Sequence, residues 1–312
     1  MTARPSLDDL FERRLSYPDI DAKDRFDLLV GLDDQKSRLT KILGLLVNPH
    51  GLEAWAKKHY HGIPDILAAV LRRPPLVVLA GDVGSGKSAL AETVGDAVAR
   101  QEGIDVTLFP LSLSTRGQGR VGEMTQLISA AFDCTIEEAT KLKGSGGRSR
   151  GAVILLIDEA DALAQSREFA QMHHEDRAGV NAFIRGIDRI GNGRLPAAVI
   201  MCTNRLGALD PAVRRRAADI MAFQRPTEHQ RHAVLDQPLK QLGFTAANIT
   251  AIVNATGHTK GRSYGFTFSD LTQRFLPSIV LDAYPDGKVA PARALEIAQA
   301  LIPTAPFQDT AS

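Results

Sequence analysis

Gly81-Asp82-Val83-Gly84-Ser85-Gly86-Lys87-Ser88 is the stretch around which the chain is organised. It follows the pattern G-x-x-x-x-G-K-[ST] of a phosphate-binding loop. Immediately before it, Leu76-Val77-Val78-Leu79-Ala80 is a short apolar run behind Pro74 and Pro75, which reads as a buried strand. Immediately after it, Ser88 to Ala99 combines helix formers with apolar residues at helical spacing. Strand, glycine loop and helix are the context such a loop needs. Backbone N–H groups of Asp82, Val83, Gly84, Ser85 and Gly86 can curl around a phosphate, and the helix N-terminus adds the positive end of its dipole. Lys87 would reach the β- and γ-phosphates of a nucleoside triphosphate, and the Ser88 hydroxyl would take a place on Mg²⁺.

Further along, Val153-Ile154-Leu155-Leu156-Ile157 is too short for a free-standing helix and suits a strand buried on both faces. It ends in Asp158-Glu159-Ala160-Asp161, where ligands bind in open parallel sheets. Asp158 would hold Mg²⁺ opposite Ser88, and Glu159 is placed to polarise a water for in-line attack on the γ-phosphate. Another strand, Ala197 to Cys202, ends in Thr203-Asn204-Arg205, and the Asn204 amide can bridge the γ-phosphate and the attacking water. Downstream, Arg214-Arg215-Arg216 form one basic turn. A solvated face is the general reading of such a turn; beside the other motifs it reads as functional.

The remaining segments fill in an architecture. Ser6 to about Tyr17 is expected to be an amphipathic helix stopped by Pro18. Phe26 to Gln35 contains the apolar-flanked turn Val30-Gly31, which could pack on a flat base, and leads into a helix toward Val47. Trp55, His59, Tyr60 and His61 read as packing and surface residues, since no further ligand cluster supports a metal site. Asp105 to Leu111 is a strand candidate, followed by helices from about Glu123 to Phe132 and from about Thr135 to Leu142. Lys143 to Arg150 is a basic connecting loop. From Pro226 onward the pattern is helical only: Glu228 to Gly243, Thr245 to Thr256, Ser269 to Ala283 and Pro291 to Leu301. The tail from Pro303 to Ser312 is expected to fray. The whole is α/β, a parallel sheet with helices on both faces followed by a small all-α lid. Its expected divisions are an N-terminal helical segment 1–25, a large ATPase domain 26–224 and a lid 225–312.

Composition excludes several classes. In 312 residues, 44% are hydrophobic and 23% charged, an ordinary globular balance. A formal net charge of +1 supplies no global field toward nucleic acid or a membrane. Cys134 and Cys202 lie far apart in apolar surroundings and read as buried free thiols of a reducing cytoplasm. The N-terminus has no apolar leader segment, and no run is long enough to span a bilayer.

Five features stand in the order found in AAA+ ATPases: Leu29-Val30-Gly31-Leu32, the phosphate loop, Asp158-Glu159, Thr203-Asn204 and the arginine-rich turn. The chain resembles that family over nearly its whole length. The resemblance implies ATP and Mg²⁺ as cofactors, Val30 and Gly31 as the adenine-contacting turn, and Asn204 as the sensor-1 residue. It implies that Arg215 and Arg216 are arginine fingers reaching the ATP of a neighbouring subunit, and hence a homo-oligomeric ring, usually a hexamer. Gly119-Arg120-Val121-Gly122-Glu123 resembles the first pore loop, with Arg120 in the usual aromatic place and Val121 and Gly122 following. Phe169 to Arg177, with His173 and His174, falls where a second pore loop would lie. Gly265 to Leu271 resembles the sensor-2 region without its arginine in the expected place, leaving Arg274 as the substitute.

Within the family, Val180 to Asp188 and Arg216 to Ile220 are similar to the pachytene-checkpoint ATPases that remodel HORMA-domain proteins. The compact length is similar to their bacterial relatives in CBASS antiphage operons, which act on a HORMA protein bound to a CD-NTase. That resemblance implies a cytoplasmic ATP-driven remodelase. Two other readings share the same chemistry: a nucleic-acid motor or clamp loader, motivated by Arg120 and the basic run Gly147 to Arg150, and a nucleotide-gated scaffold. The near-neutral charge and the absence of a DNA-binding appendage speak against nucleic acid as partner.

Overall fold

A computed structural model of the chain describes residues 10, 11, 13–60, 62, 64–113, 123–144, 149–161, 174–207, 209–259 and 261–306. Six strands form one sheet: β1 (Leu15–Tyr17), β2 (Leu76–Gly81), β3 (Asp105–Ser112), β4 (Gly151–Asp158), β5 (Ala197–Thr203) and β6 (Asp219–Phe223). Their spatial order is β1-β3-β4-β5-β2-β6, with β2, β3, β4 and β5 mutually parallel and β1 antiparallel at one edge. β5 is buried along its whole length, as is β4 up to Ile157 and β2 up to Ala80. Strands covered on both faces account for the continuous Val/Ile/Leu runs in the sequence.

Helices α1 (Ile20–Asp27), α2 (Asp33–Val47), α3 (Pro49–Tyr60) and α4 (Asp65–Leu71) precede β2. The crossovers between parallel strands are made by α5 (Lys87–Glu102), α6 (Glu123–Leu142) and α7 (His174–Gly193), and the short α8 (Pro211–Arg214) leads to β6. Register fixes where the strands end. Ala80 of β2 pairs with Thr203 of β5, Ile157 of β4 with Met201, and Ser112 of β3 with Asp158. The C-terminal ends of β2, β4 and β5 therefore reach the same edge of the sheet, the edge at which open parallel sheets bind ligands.

The chain forms two compact units. The first comprises Asp34–Ala80, Ser88–Ala222 and the segment that ends at Asp27. Its core lies between the sheet and α6 and α7: Phe132 meets Phe183 edge-on at 5.7 Å, and Phe109 is stacked on Phe11 at 4.7 Å. Each such ring taken from water contributes about 1.5–3 kcal/mol. The second unit comprises Leu28–Asp33, Gly81–Lys87 and the chain from Phe223 onward. It contains α9 (Glu228–Gln241), α10 (Ala246–Ala255), a π-helical turn Asp270–Phe275, α11 (Leu276–Ala283) and α12 (Pro291–Ala300). Thr227 and Thr245 start α9 and α10 with reciprocal capping boxes to Gln230 and Asn248. Leu235, Leu239, Ile249, Ile252, Phe266 and Phe275 are among its fully or almost fully buried side chains.

Three expectations are corrected. Leu15–Tyr17 is a strand, not the end of a helix: Leu15 pairs with Leu108 and Tyr17 with Val106, and the buried Tyr17 hydroxyl donates to the Glu92 carbonyl. An open sheet edge outweighed the local helical pattern. α6 runs unbroken through Asp133 and Cys134, where two helices were expected. Arg189 of α7 holds the Asp133 carboxylate at 2.6 Å, so this residue serves a neighbouring helix instead of ending its own. The tail is fixed at least as far as Thr304, whose N–H and hydroxyl donate to the buried Asp270.

Candidate nucleotide site

In the second unit the phosphate loop is held from three sides. Gly81 has φ +151°, and a Cβ there would lie 1.8 Å from the Phe223 carbonyl oxygen, so β6 approaches too closely for any side chain. Gly84, with φ +71°, would place a Cβ 2.7 Å from Thr267 Oγ1, and the Ser269 N–H donates to the Gly84 carbonyl at 3.1 Å. A left-handed glycine pressed against Thr267 and Ser269 leaves no alternative residue at this turn. Lys87 is buried, and its Nζ donates to the carbonyls of Gly81 at 2.9 Å and Asp82 at 2.8 Å. Ser85 Oγ also donates to the Asp82 carbonyl, at 2.7 Å, while Val83 is exposed at the rim.

The Val30–Gly31 turn belongs to the same unit. Val30 N–H closes onto the Leu28 carbonyl at 2.9 Å, and Gln230 Nε2 donates to the Gly31 carbonyl at 2.7 Å. Gln230 thus serves both the cap of α9 and this turn. Arg225, just beyond β6, donates through Nε to Asp82 Oδ2 at 2.6 Å, through Nη1 to the Gly265 carbonyl and through Nη2 to the Thr304 carbonyl. Arg274 lies 2.7 Å from Asp270 Oδ1. Burial opposes the charge on Asp270, yet the Thr267 and Thr304 donors and the Arg274 guanidinium hold its carboxyl below the ordinary carboxylate range.

In the first unit, Ser88 stands in the first turn of α5 and Asp158 ends β4. A hydroxyl and a carboxylate are hard oxygen donors and fit Mg²⁺. Among the described residues no group of three or more His, Cys, Asp or Glu side chains could hold a metal by itself. Glu159 is exposed and adopts φ +52°, a left-handed conformation that costs a non-glycine residue about 1–3 kcal/mol. Its N–H donates to Asp158 Oδ1 at 2.8 Å, and Ser112 Oγ donates to its Oε2 at 3.1 Å. β3 supplies that hydroxyl because Ser112 is in register with Asp158.

Asp161 completes the edge. Its Oδ1 accepts from Thr203 Oγ1 and from the Asn204 N–H, both at 2.7 Å, and its Oδ2 accepts from Asn204 Nδ2 at 3.1 Å. The amide of Asn204 is thereby oriented by a carboxylate three residues beyond Asp158. Ser112, Asp161, Gln230 and Arg225 were all missed in the sequence. Asp161 had a visible signal, a third acidic residue at the end of an apolar strand. Arg225, a lone arginine before a proline, had none.

The arginine turn is split. Arg216 makes a fork to Asp188 of α7, Nε to Oδ1 at 2.7 Å and Nη2 to Oδ2 at 2.9 Å. Arg214 donates to the Leu206 carbonyl. Arg215 is exposed and has no side-chain partner among the described residues. Arg120, Val121, Gly122 and His173 lie outside the described residues, while His174 begins α7.

A profile of the ATPase family associated with various cellular activities (AAA) matches residues 77–225, from β2 to just beyond β6. The CD-NTase-associated protein 6 of Escherichia coli strain MS 115-1 is 65% identical over 99% of both chains. Among solved structures, a chain of the E. coli MS115-1 HORMA:CdnC:Trip13 complex superposes with a TM-score of 0.90 at 63% identity, covering 98% of this chain and 100% of that one. Rhizobiales Trip13 gives a TM-score of 0.76 at 58% identity, covering 95% and 100%. A phosphate loop, an acidic strand end and a relative alike along its whole length lead to one assignment: the chain belongs to the AAA family of ATPases, alongside the CD-NTase-associated protein 6 proteins.

Proposed function

We propose that the chain is an ATP-hydrolysing remodelase that disassembles a HORMA-domain protein from its CD-NTase in CBASS antiviral defence. The observation that carries this reading is the full-length likeness, at a TM-score of 0.90, to a chain from a HORMA:CdnC:Trip13 complex. The site supports it chemically. The phosphate loop from Asp82 to Ser88 binds ATP, with Val30 and Gly31 against the adenine. Ser88 and Asp158 would hold Mg²⁺, which supplies charge neutralisation at the β- and γ-phosphates. Glu159 polarises the attacking water, and Asn204, oriented by Asp161, holds that water in line with the γ-phosphate.

Arg215 is the guanidinium available to a neighbouring subunit. Delivery of Arg216 requires breaking its fork to Asp188, so that pair reports whether a neighbour is engaged. Dependence on a neighbour's arginine makes a ring, read as a hexamer, the working form. The large ATPase domain (26–224) and the lid (225–312) then drive pore loops carrying Arg120, Val121 and Gly122 along a polypeptide. No helix among the described residues is long and apolar enough to cross a membrane, in keeping with a cytoplasmic protein.

The test is Glu159→Gln expressed in the native host. Turnover should fall about a hundredfold or more while ATP stays bound, as loss of a general base predicts, and a HORMA protein with a CD-NTase should co-purify. Unchanged turnover overturns the role of Glu159. Co-purifying nucleic acid, with ATPase activity stimulated by it in a steeply salt-dependent way, overturns the remodelling reading in favour of a motor.

A further inference from the structure

Asp82 places a carboxylate at the second position of a loop whose purpose is to hold phosphates. Negative charge there opposes the ligand unless it is compensated. The compensation is Arg225. Its Nε lies 2.6 Å from Asp82 Oδ2, and both side chains are largely buried, 14% and 18% exposed. The rest of the guanidinium is committed as well. Nη1 donates to the Gly265 carbonyl at 2.7 Å, Nη2 to the Thr304 carbonyl at 2.8 Å, and the group lies 4.9 Å from the centre of the Tyr264 ring. A planar fork with a hydrogen bond from each of its three nitrogens and its face against a ring has little freedom to move. Thr304 is itself anchored by two hydrogen bonds to Asp270.

The chain of contacts continues inward. The carbonyl of Asp82 is one of the two that accept from Lys87 Nζ, at 2.8 Å. Whatever fixes residue 82 also fixes where the lysine charge rests in this structure. We propose that Arg225 is a positioning residue for nucleotide binding: it neutralises and immobilises Asp82, and through Asp82 sets the phosphate loop and Lys87. It does so while fastened to the Tyr264–Gly265 turn and to the C-terminal strap at Thr304. This proposal rests on the reading of Gly81 to Ser88 as an ATP-binding loop.

A double-mutant cycle on the full chain tests it, with a fluorescent ATP analogue as probe and thermal unfolding to verify folding. Arg225→Ala should weaken binding about tenfold or more, within the range of coupled charged pairs. Adding Asp82→Asn should recover affinity to within about threefold of Asp82→Asn alone, because the carboxylate needing compensation is gone. Should Arg225→Ala fail to fold, Arg225→Gln carries the same cycle, since it removes the charge and keeps an amide donor. A purely scaffolding role through Gly265 and Thr304 would leave the Arg225→Ala loss untouched by Asp82→Asn. Additive losses of that kind, with normal binding by the unsubstituted chain, overturn the positioning role alone. Absence of binding by the unsubstituted chain overturns the nucleotide reading and this proposal together.

Discussion

The exits of β2 and β4 are built in opposite ways. Beyond β2, the phosphate loop is pinned by β6 at Gly81, by Ser269 at Gly84 and by Arg225 at Asp82, and Lys87 is buried against its carbonyls. Beyond β4, Glu159 is exposed, left-handed and restrained at its carboxylate by Ser112. In the proposed role, these contacts already hold the binding end, so little ordering entropy would remain to be lost on binding. In the role proposed above, the chemical end is the more exposed of the two, as suits a base that would engage a water in only one state of the cycle. A nearby carboxylate, Asp161, shows that tight anchoring was available at this edge: it fixes Thr203 and Asn204 with three hydrogen bonds.

The contrast can be broken by substitution. Lys87→Ala should have the largest effect, weakening ATP-analogue binding about a hundredfold, the scale of charge-assisted hydrogen bonds to phosphate. Calorimetric titration would read it, and a Kd close to that of the unsubstituted protein would remove Lys87 from the site. Asp161→Ala should lower kcat about tenfold while KM changes little, because a misaimed Asn204 impairs alignment rather than binding. A rise in KM with kcat intact would instead make Asp161 part of the binding end. The smallest effect belongs to Ser112→Ala, about twofold to fivefold in kcat, since an exposed hydrogen bond contributes little. Steady-state kinetics showing a loss as large as that of Asp161→Ala would mean Glu159 is held as firmly as Asn204, and the contrast would fall.

How much of this was legible follows from what each residue's signal depends on. Lys87, Ser88, Asp158, Glu159 and Asn204 sit at fixed offsets from strand ends, so period and motif locate them in one dimension. β2, β4 and β5 were readable because strands covered on both faces are nearly pure apolar runs. Ser112 and Asp161 depend on register, which brings Ser112 beside Asp158 and Ile157, just before the acidic run, beside Met201 of β5. Register is a property of the assembled sheet. Arg225 joins positions 82, 265 and 304, a long-range coincidence with no local trace. The short strand Leu15–Tyr17 was hidden for the related reason that only the free edge of β3 makes it a strand.

Glu159 carries a side chain on a backbone conformation that favours glycine. Glycine would adopt φ +52° without penalty, so a chain selected only for thermal resistance would drift toward glycine at residue 159. In the role proposed above, glutamate at this position gives up stability in exchange for turnover. Libraries screened by heat challenge without an activity screen should lose this residue early, and with it the hydrolysis that the more resistant fold no longer performs.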